Sequence, residues 1–296
     1  MLELRGLTKR FGSLVAVDNL TLDIPPGRVT GFLGPNGAGK TTTLRMTLGL
    51  ISPTAGTATF DGQTYRKLDV PMRQVGAALE ATNFHPGRTA LGHLRSLAPS
   101  AHVTDARCRE MLTFVGLAEV GSRRVGKFSL GMRARLGLAT ALLGDPATLL
   151  LDEPTNGLDP EGIAWMRAMV RGLAAEGRTV LISSHLLAEV HQTVDDVVIL
   201  ARGSAVYAGP LAEIDKGGGN RTLVATPDPP AFAALAAARG WGLSSDKEGF
   251  TVTGTTSSEI GEAAHAAGIV LHQLADQGSS LEAAFLAMTE GQGLGQ

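Results

Sequence analysis

A glycine-rich segment near the N-terminus, residues 34–42, carries the residue types that hold nucleotide phosphates. It follows an apolar run that ends at Leu33, and a helix-compatible run comes after it, which is the order that phosphate binding requires. The glycines let successive backbone N–H groups turn inward, and the N-terminus of the helix adds the positive end of its dipole. The segment therefore predicts a nucleotide site at Gly34, Asn36, Gly37, Ala38, Gly39, Lys40, Thr41 and Thr42.

Two side chains of this segment suit the chemistry of a triphosphate. Lys40 can reach the β- and γ-phosphates, and the Thr41 hydroxyl can bind Mg²⁺. The alternative interpretation is a glycine-rich turn that is followed by a chance Lys-Thr pair.

Two adjacent carboxylates, Asp152 and Glu153, follow the apolar run 149–151. A buried strand that ends in acids places them at the carboxyl edge of the sheet, where ligands of α/β proteins bind. Asp152 is placed to hold Mg²⁺, and Glu153 to polarise an attacking water as general base. The alternative is an ordinary strand exit with solvated acids.

The elements that must position these groups alternate along the first 210 or so residues. A helix is predicted at 40–50 and a mainly helical stretch at 89–143, and Asp159 followed by Pro160 is typical of a helix start. Apolar runs predict strands at 28–33, 75–79, 148–151, 179–182 and 197–200. This order indicates an α/β fold with a largely parallel sheet buried on both faces, interrupted by a helical insert at about 85–143.

A flexible linker is predicted at 216–220, so the domains are expected at 1–215 and 221–296. The second domain shows helix starts at Asp228 and Thr256, with Gly240 and Gly268 as helix ends, and a last helix from Ser279 through Met288. Its strands are predicted at 221–226, 241–245, 250–253 and 269–274. The order βαββαβ-α predicts a small α+β unit with a ferredoxin-like fold.

Composition narrows the class of protein without choosing a function. The net charge of −2 gives no reason to invoke nucleic acid or an anionic membrane surface. Cys108 is the single cysteine, which excludes an intrachain disulfide and agrees with a reducing compartment. The N-terminus has an alternating strand pattern rather than that of a signal peptide, and the apolar runs are too short to cross a bilayer. We therefore expect a soluble, cytoplasmic chain.

With these motifs in place, residues 2–212 resemble the ATP-binding subunits of ABC transporters. The phosphate loop matches fully, and Asp152 and Glu153 match the magnesium-holding acid and the catalytic glutamate of that family. His185, in Ser-Ser-His at a strand end, resembles the switch histidine that contacts the γ-phosphate. The resemblance implies a phosphate-loop NTPase fold with a RecA-like core, an antiparallel β subdomain and a helical insert.

The resemblance also implies contacts to adenine and across a dimer. Phe11 stands where the family stacks an aromatic ring on adenine. The segment Thr-Asn-Gly-Leu-Asp-Pro at 155–160 resembles the loop that communicates between subunits, with Asp159 as its acid. The family signature Leu-Ser-Gly-Gly-Gln reads Phe-Ser-Leu-Gly-Met at 128–132, and its Ser129 and Gly131 are expected to touch the γ-phosphate of a partner subunit's ATP. A simple Ser-capped helix beginning near residue 130 describes the same residues equally well.

The sequence departs from the family pattern at the signature segment and also at Glu80, where the family has a glutamine. A carboxylate can bind Mg²⁺ there, and the alternative is a surface acid. A glutamate at this position, the departures from the signature at 128–132 and the C-terminal segment 280–286 together resemble the bacitracin- and daunorubicin-type branch of drug-resistance exporters.

The implied mechanism is Mg²⁺-dependent ATP hydrolysis in a head-to-tail dimer, for which a second copy of this chain is favoured. One subunit supplies Lys40, Thr41, Asp152, Glu153 and His185, and the other closes the site with its signature segment. The resemblance further implies an integral-membrane permease and a location on the cytoplasmic face of the membrane. The alternatives are a soluble ABC-type ATPase acting on ribosomes or DNA, and a C-terminal unit that senses a small molecule rather than supporting packing.

Overall fold

The computed structural model describes residues 1–79, 84–217, 222–246, 249–276 and 285. The chain divides into two units, Met1–Gly209 and Pro210–Gln296. In chain order, the strands of the first are β1 (Leu2–Phe11), β2 (Leu14–Ile24), β3 (Val29–Leu33), β4 (Ala55–Phe60), β5 (Val75–Ala78), β6 (Thr148–Asp152), β7 (Thr179–Ser184), β8 (Asp196–Ala201) and β9 (Ser204–Pro210). Its helices are α1 (Lys40–Thr47), α2 (Pro71–Gln74), α3 (Ala90–Ala101), α4 (Asp105–Phe114), α5 (Leu130–Leu142), α6 (Pro160–Ala175) and α7 (Leu187–His191).

The main sheet has the strand order β5-β6-β7-β3-β8-β9. Its first five strands pair in parallel, and every residue of β3 and β7 is buried, as expected where both faces of a sheet are covered. The predicted parallel sheet is therefore confirmed. The edge strand β9 was not predicted; it follows a two-residue turn, Arg202 and Gly203, with φ values of 48° and 84° that suit a tight hairpin.

A second, antiparallel sheet of the first unit has the order β2-β1-β4. It shares one hydrophobic core with the main sheet and α1, to which Leu4, Phe32, Leu44 and Leu150 contribute. The antiparallel β subdomain implied by the family resemblance is thus present. The predicted helical insert is also confirmed: it consists mainly of α3, α4 and α5.

Helix α5 of this insert packs tightly on the sheet at Gly76 of β5. A Cβ atom added there would lie 2.0 Å from the carbonyl oxygen of Ala141, so only glycine permits the contact. This close packing fixes α5, which begins just after Ser129, against β5. Strand β5 pairs with β6, and β6 ends at Asp152.

The second unit contains α8 (Leu211–Gly217), β10 (Thr222–Ala225), α9 (Pro229–Arg239), β11 (Gly242–Asp246), β12 (Gly249–Thr253), α10 (Ser257–Ala266) and β13 (Gln273–Asp276). Its sheet is antiparallel with the order β11-β12-β10-β13. From β10 to β13 the elements follow the predicted order βαββαβ. Their core is built from Val224, Phe232, Val252 and Ile260.

Both predicted helix starts are present. Asp228 accepts a hydrogen bond from the N–H of Ala231, and Thr256 and Glu259 form a complete capping box. The last strand was predicted at 269–274 but lies at 273–276. The prediction began too early because the N–H of Ile269 still donates to the carbonyl of Ala264, which closes the end of α10.

The predicted linker at 216–220 begins too early, because α8 extends to Gly217, and the rest of it lies outside the described residues. The boundary at 215 remains a prediction. Of the predicted last helix, only Phe285 lies within the described residues.

Candidate nucleotide site

The glycine-rich loop connects β3 to α1 and is held by close backbone packing. Gly39 has φ 102°, and a Cβ atom there would lie 2.5 Å from the carbonyl oxygen of Ala16. A Cβ on Gly34 would lie 2.6 Å from the carbonyl oxygen of Leu200. The predicted need for glycine at these two positions therefore has a direct steric cause.

Lys40, the first residue of α1, is buried inside this loop with 7% of its side chain exposed. Its Nζ donates to the carbonyl oxygens of Gly34 at 2.6 Å and Pro35 at 3.3 Å, and lies 4.0 Å from Oε1 of Glu153. Burial lowers the pKa of Lys40, and the charges of Glu153 and Asp152 partly oppose this effect. The ammonium thus sits between the loop and the catalytic carboxylate predicted from the sequence.

Asp152 ends β6 and binds two hydroxyl groups. Its Oδ2 accepts a hydrogen bond of 2.7 Å from the Thr41 hydroxyl, and its Oδ1 accepts one from the Ser183 hydroxyl. Carboxylate and hydroxyl oxygens are ligands that suit Mg²⁺, which is typically held by one or two carboxylates together with substrate phosphates. The paired Thr41 and Asp152 oxygens therefore fit the predicted metal site.

Ser183 was not among the predicted site residues. It lies directly opposite Asp152 in the parallel pairing of β6 and β7, and its oxygen atoms also accept hydrogen bonds from the N–H of Glu153. The sequence shows a serine directly after the apolar run 180–182. It does not show which residue this serine contacts, because that depends on the register of β6 and β7.

Glu153 follows the strand in a left-handed backbone conformation, with φ 49°. This conformation is unfavourable for a residue with a side chain, and such strain concentrates at functional sites. The carboxylate lies between two nitrogens: Oε2 is 2.8 Å from Nδ1 of His185, and Oε1 faces Lys40. The structure therefore brings together Lys40, Thr41, Asp152, Glu153 and His185, as predicted.

The signature segment begins α5. The Ser129 hydroxyl caps that helix by accepting from the N–H of Met132 at 3.2 Å, and Leu130 is 49% exposed. Asp159 caps α6 in the same way, accepting from the N–H of Gly162 at 2.9 Å. A Cβ on Gly131 would lie 2.7 Å from the carbonyl oxygen of Gly157, so the two segments are in contact.

A cleft of about 420 Å³ lies between these parts, with Thr41, Asp152 and Glu153 on one wall and Leu130 and Ala134 of α5 among the residues of the other. Phe11, at the end of β1, is 48% exposed and carries the Lys9 ammonium 5.0 Å from its ring centre. Glu80 lies outside the described residues, and its role remains a prediction.

Substitution of Gly39 by alanine should weaken ATP binding about tenfold, because strain at an unfavourable backbone conformation costs about 1–3 kcal/mol and the added Cβ collides with Ala16. Titration calorimetry with ATP measures the effect. Gly27→Ala is the matched control, since Gly27 has φ 77° and open space around its Cβ position. Equal affinities in the two variants would contradict the steric explanation.

A phosphate loop before a helix, a parallel sheet, and acids at its carboxyl edge define the class of phosphate-loop NTPases. A family model described as ABC transporter matches residues 17–156, and one described as a domain of unknown function matches residues 220–282.

Two of the relatives are described as transport ATP-binding proteins. A bacitracin transport ATP-binding protein of Bacillus licheniformis is 45% identical over 215 residues, covering 71% of this chain and 70% of that protein. A lantibiotic transport ATP-binding protein of Streptococcus pyogenes is 36% identical over 206 residues, covering 70% and 89%. A solved ATP-binding subunit of an ABC transporter superimposes with a TM-score of 0.66 at 28% identity, covering 73% of this chain and 92% of that one. The chain belongs to the ABC transporter family, as an ATP-binding subunit that hydrolyses ATP.

No helix in the described ranges combines the length and apolar character that crossing a membrane requires.

Proposed function

We propose that this chain energises the export of a drug or peptide antibiotic through a separate membrane permease, to which it binds on the cytoplasmic face. The observation that carries the ATPase half is Glu153, held between Lys40 and His185 beside the Asp152 and Thr41 oxygens. The relatives that transport bacitracin and lantibiotics support the choice of cargo.

The residues divide the work of hydrolysis. Lys40 contacts the β- and γ-phosphates, and Thr41 and Asp152 would hold Mg²⁺, which supplies positive charge beside the phosphates when bound. Glu153 accepts a proton from the attacking water, and His185 orients the Glu153 carboxylate and contacts the γ-phosphate. Asp152 is the weaker candidate for the base because two hydroxyl groups already occupy its oxygens.

The other half of each site comes from a second subunit, in our proposal a second copy of this chain. Ser129 is exposed, and Gly131 follows it at the N-terminus of α5. A helix N-terminus with a serine hydroxyl and a free backbone N–H binds anions, so it suits the γ-phosphate of the partner's ATP. ATP would then join two subunits, and its hydrolysis would release them.

Phe11→Ala should raise the Kd for ATP about 5- to 150-fold, because stacking of a base on an aromatic ring contributes about 1–3 kcal/mol. Phe11→Trp should preserve binding, and the loss should disappear with inorganic triphosphate as the ligand. Phe114→Ala removes a similarly exposed ring, 46% exposed, and serves as control. An unchanged Kd in Phe11→Ala would assign adenine contact elsewhere.

The transport half is tested by co-expression with a candidate permease, a multi-span membrane protein sought among the genes adjacent to this chain's own. Inside-out vesicles should take up labelled bacitracin or a lantibiotic only with ATP and Mg²⁺, and vesicles carrying Glu153→Gln should not. ATP hydrolysis without uptake of any such peptide, and without binding to the permease, would favour a soluble ATPase that is not coupled to transport.

A further inference from the structure

We propose that Leu130 and Gly157 form a steric lock that holds the signature segment and the loop before α6 as one rigid body, and that this lock positions Ser129 and Gly131 for the partner's nucleotide. The inference rests on the proposed division of the ATP site between two subunits. Leu130 and Gly157 are positioning residues, because they act through the segment that touches the phosphate.

The first step is the contact itself. Gly157 has φ 80°, and a Cβ atom at that position would lie 2.4 Å from Cγ, 2.5 Å from Cδ2 and 2.9 Å from Cβ of Leu130. The leucine side chain therefore occupies the space that any larger residue at position 157 would need. The side chain that departs from the family signature has a specific partner in this chain.

The second step is a neighbouring contact between the same segments. Gly131 approaches the carbonyl oxygen of Gly157 so closely that a Cβ would lie 2.7 Å from it. Two successive residues of the signature segment are thus fitted against one residue of the other loop. Movement of either segment alone would open the contact with Leu130 or push Gly131 into that carbonyl.

The third step is a support one turn further along both helices. The guanidinium carbon of Arg135 in α5 lies 5.4 Å from the ring centre of Trp165 in α6, a cation–π geometry. Arg135 also donates to the carbonyl of Val115, and Phe114 packs edge-on against Trp165 with ring centres 6.2 Å apart. The N-terminal turns of α5 and α6 are therefore fixed to each other and to the end of α4.

Rigidity matters here because the starts of α5 and α6 must keep fixed positions relative to the bound phosphate. Ser129 and Asp159 cap their helices by the same side-chain hydrogen bond, and both segments line up beside the cleft that contains Glu153. Misplacement of a group that contacts the reacting phosphate by about 1 Å costs about 100-fold in rate. A lock that prevents this displacement raises kcat without touching the nucleotide.

A double-mutant cycle tests the lock in the full chain. Gly157→Ala should lower the kcat of ATP hydrolysis about 10- to 100-fold, because the new methyl group displaces Leu130 and the signature segment with it. The Kd of the monomer for a fluorescent ATP analogue should stay within about twofold, because the phosphate loop is unaffected. Leu130→Gly alone should also lower kcat, because the contact with Gly157 is lost, and the double variant should turn over no more slowly than the slower single variant, because both changes remove the same contact.

Gly177→Ala is the control for backbone strain, since Gly177 has φ 93°, follows the same helix α6 and has open space at its Cβ position. Its kcat should stay close to that of the wild type. The lock is refuted if Gly157→Ala and Gly177→Ala have equal kcat, if the double variant shows the product of the two single effects within about twofold, or if Gly157→Ala loses nucleotide affinity as strongly as kcat.

A further variant separates this proposal from the one it depends on. Ser129→Ala should lower kcat while leaving the ATP affinity of the monomer unchanged. Wild-type turnover in Ser129→Ala would refute the divided site, and with it the function of the lock. Loss of turnover in Ser129→Ala without coupling between Leu130 and Gly157 would refute the lock alone.

Discussion

Replacement of Glu153 by glutamine is expected to abolish ATP turnover while ATP binding remains. A positioned general base contributes about 100- to 10,000-fold to a rate, and the amide of glutamine cannot accept the proton of the attacking water. Glutamine nevertheless fills the same space, and its side-chain oxygen can still accept a hydrogen bond from His185, which lies 2.8 Å from the carboxylate in the wild type. The binding groups Lys40 and Thr41 are unchanged.

The same variant should accumulate as an ATP-bound dimer, because in the proposed divided site the nucleotide joins two subunits and is no longer consumed. Light scattering after gel filtration, with ATP and Mg²⁺, measures the shift from monomer to dimer. Glu119→Gln replaces an exposed acid away from the site and should hydrolyse ATP without accumulating a dimer. Near-normal turnover in Glu153→Gln would refute the general-base assignment, and a monomer in the presence of bound ATP would refute the divided site.

The part of the site that lies within one local segment could be predicted from the sequence. The phosphate loop is predictable because its glycines, lysine and threonine all lie within one continuous strand, loop and helix. Asp152 and Glu153 are predictable because two acids that end a buried strand must lie at the sheet edge. The structure adds the reason why Gly39 and Gly34 are required, namely the carbonyl oxygens of Ala16 and Leu200.

Contacts that depend on strand register or on packing between helices could not be predicted. Ser183 meets Asp152 only because β6 and β7 pair in a particular register. Leu130 looked like a departure from a motif, and only the packing of α5 against the loop before α6 shows Gly157 as its partner. The shift of β13 has a similar cause, since the turn that closes α10 consumes residues with strand-like sequence.

The contact between Ser183 and Asp152 gives the two predicted acids different hydrogen-bond partners. Asp152 and Glu153 are adjacent in sequence and equal in charge, yet Asp152 accepts two hydroxyl hydrogen bonds while Glu153 faces two nitrogens. The Ser183 hydroxyl separates their environments by donating to Asp152 and accepting from the backbone of Glu153. The proposed division of these acids into a metal ligand and a base therefore depends on Ser183, a residue outside the recognised motifs.

Lys40→Ala has the other large expected effect, a loss of ATP affinity without a loss of fold stability. Hydrogen bonds to a charged group contribute about 1.5–3 kcal/mol, so removal of the ammonium should raise the Kd for ATP about 10- to 150-fold.

Stability should respond differently from affinity. Burial lowers the pKa of Lys40, so the folded chain binds this proton less tightly than the unfolded chain does. The charged lysine thus destabilises the folded state near neutral pH. This destabilisation decreases as the pH rises through the lowered pKa. A substitution that removes the charge removes the destabilisation. We therefore expect the melting temperature of Lys40→Ala, measured by calorimetry without nucleotide, to equal or exceed that of the wild type.

Two measurements decide the assignment of Lys40. Calorimetric titration with ATP gives the affinity, and Lys67→Ala, which removes an exposed lysine, provides the control for a change of net charge. Undiminished ATP affinity would contradict the phosphate-binding role. A lower melting temperature in Lys40→Ala than in Lys67→Ala would show that the ammonium holds the loop through Gly34 and Pro35. A fall in ATP affinity with an unchanged melting temperature would show that Lys40 contributes to nucleotide binding and not to the stability of the fold.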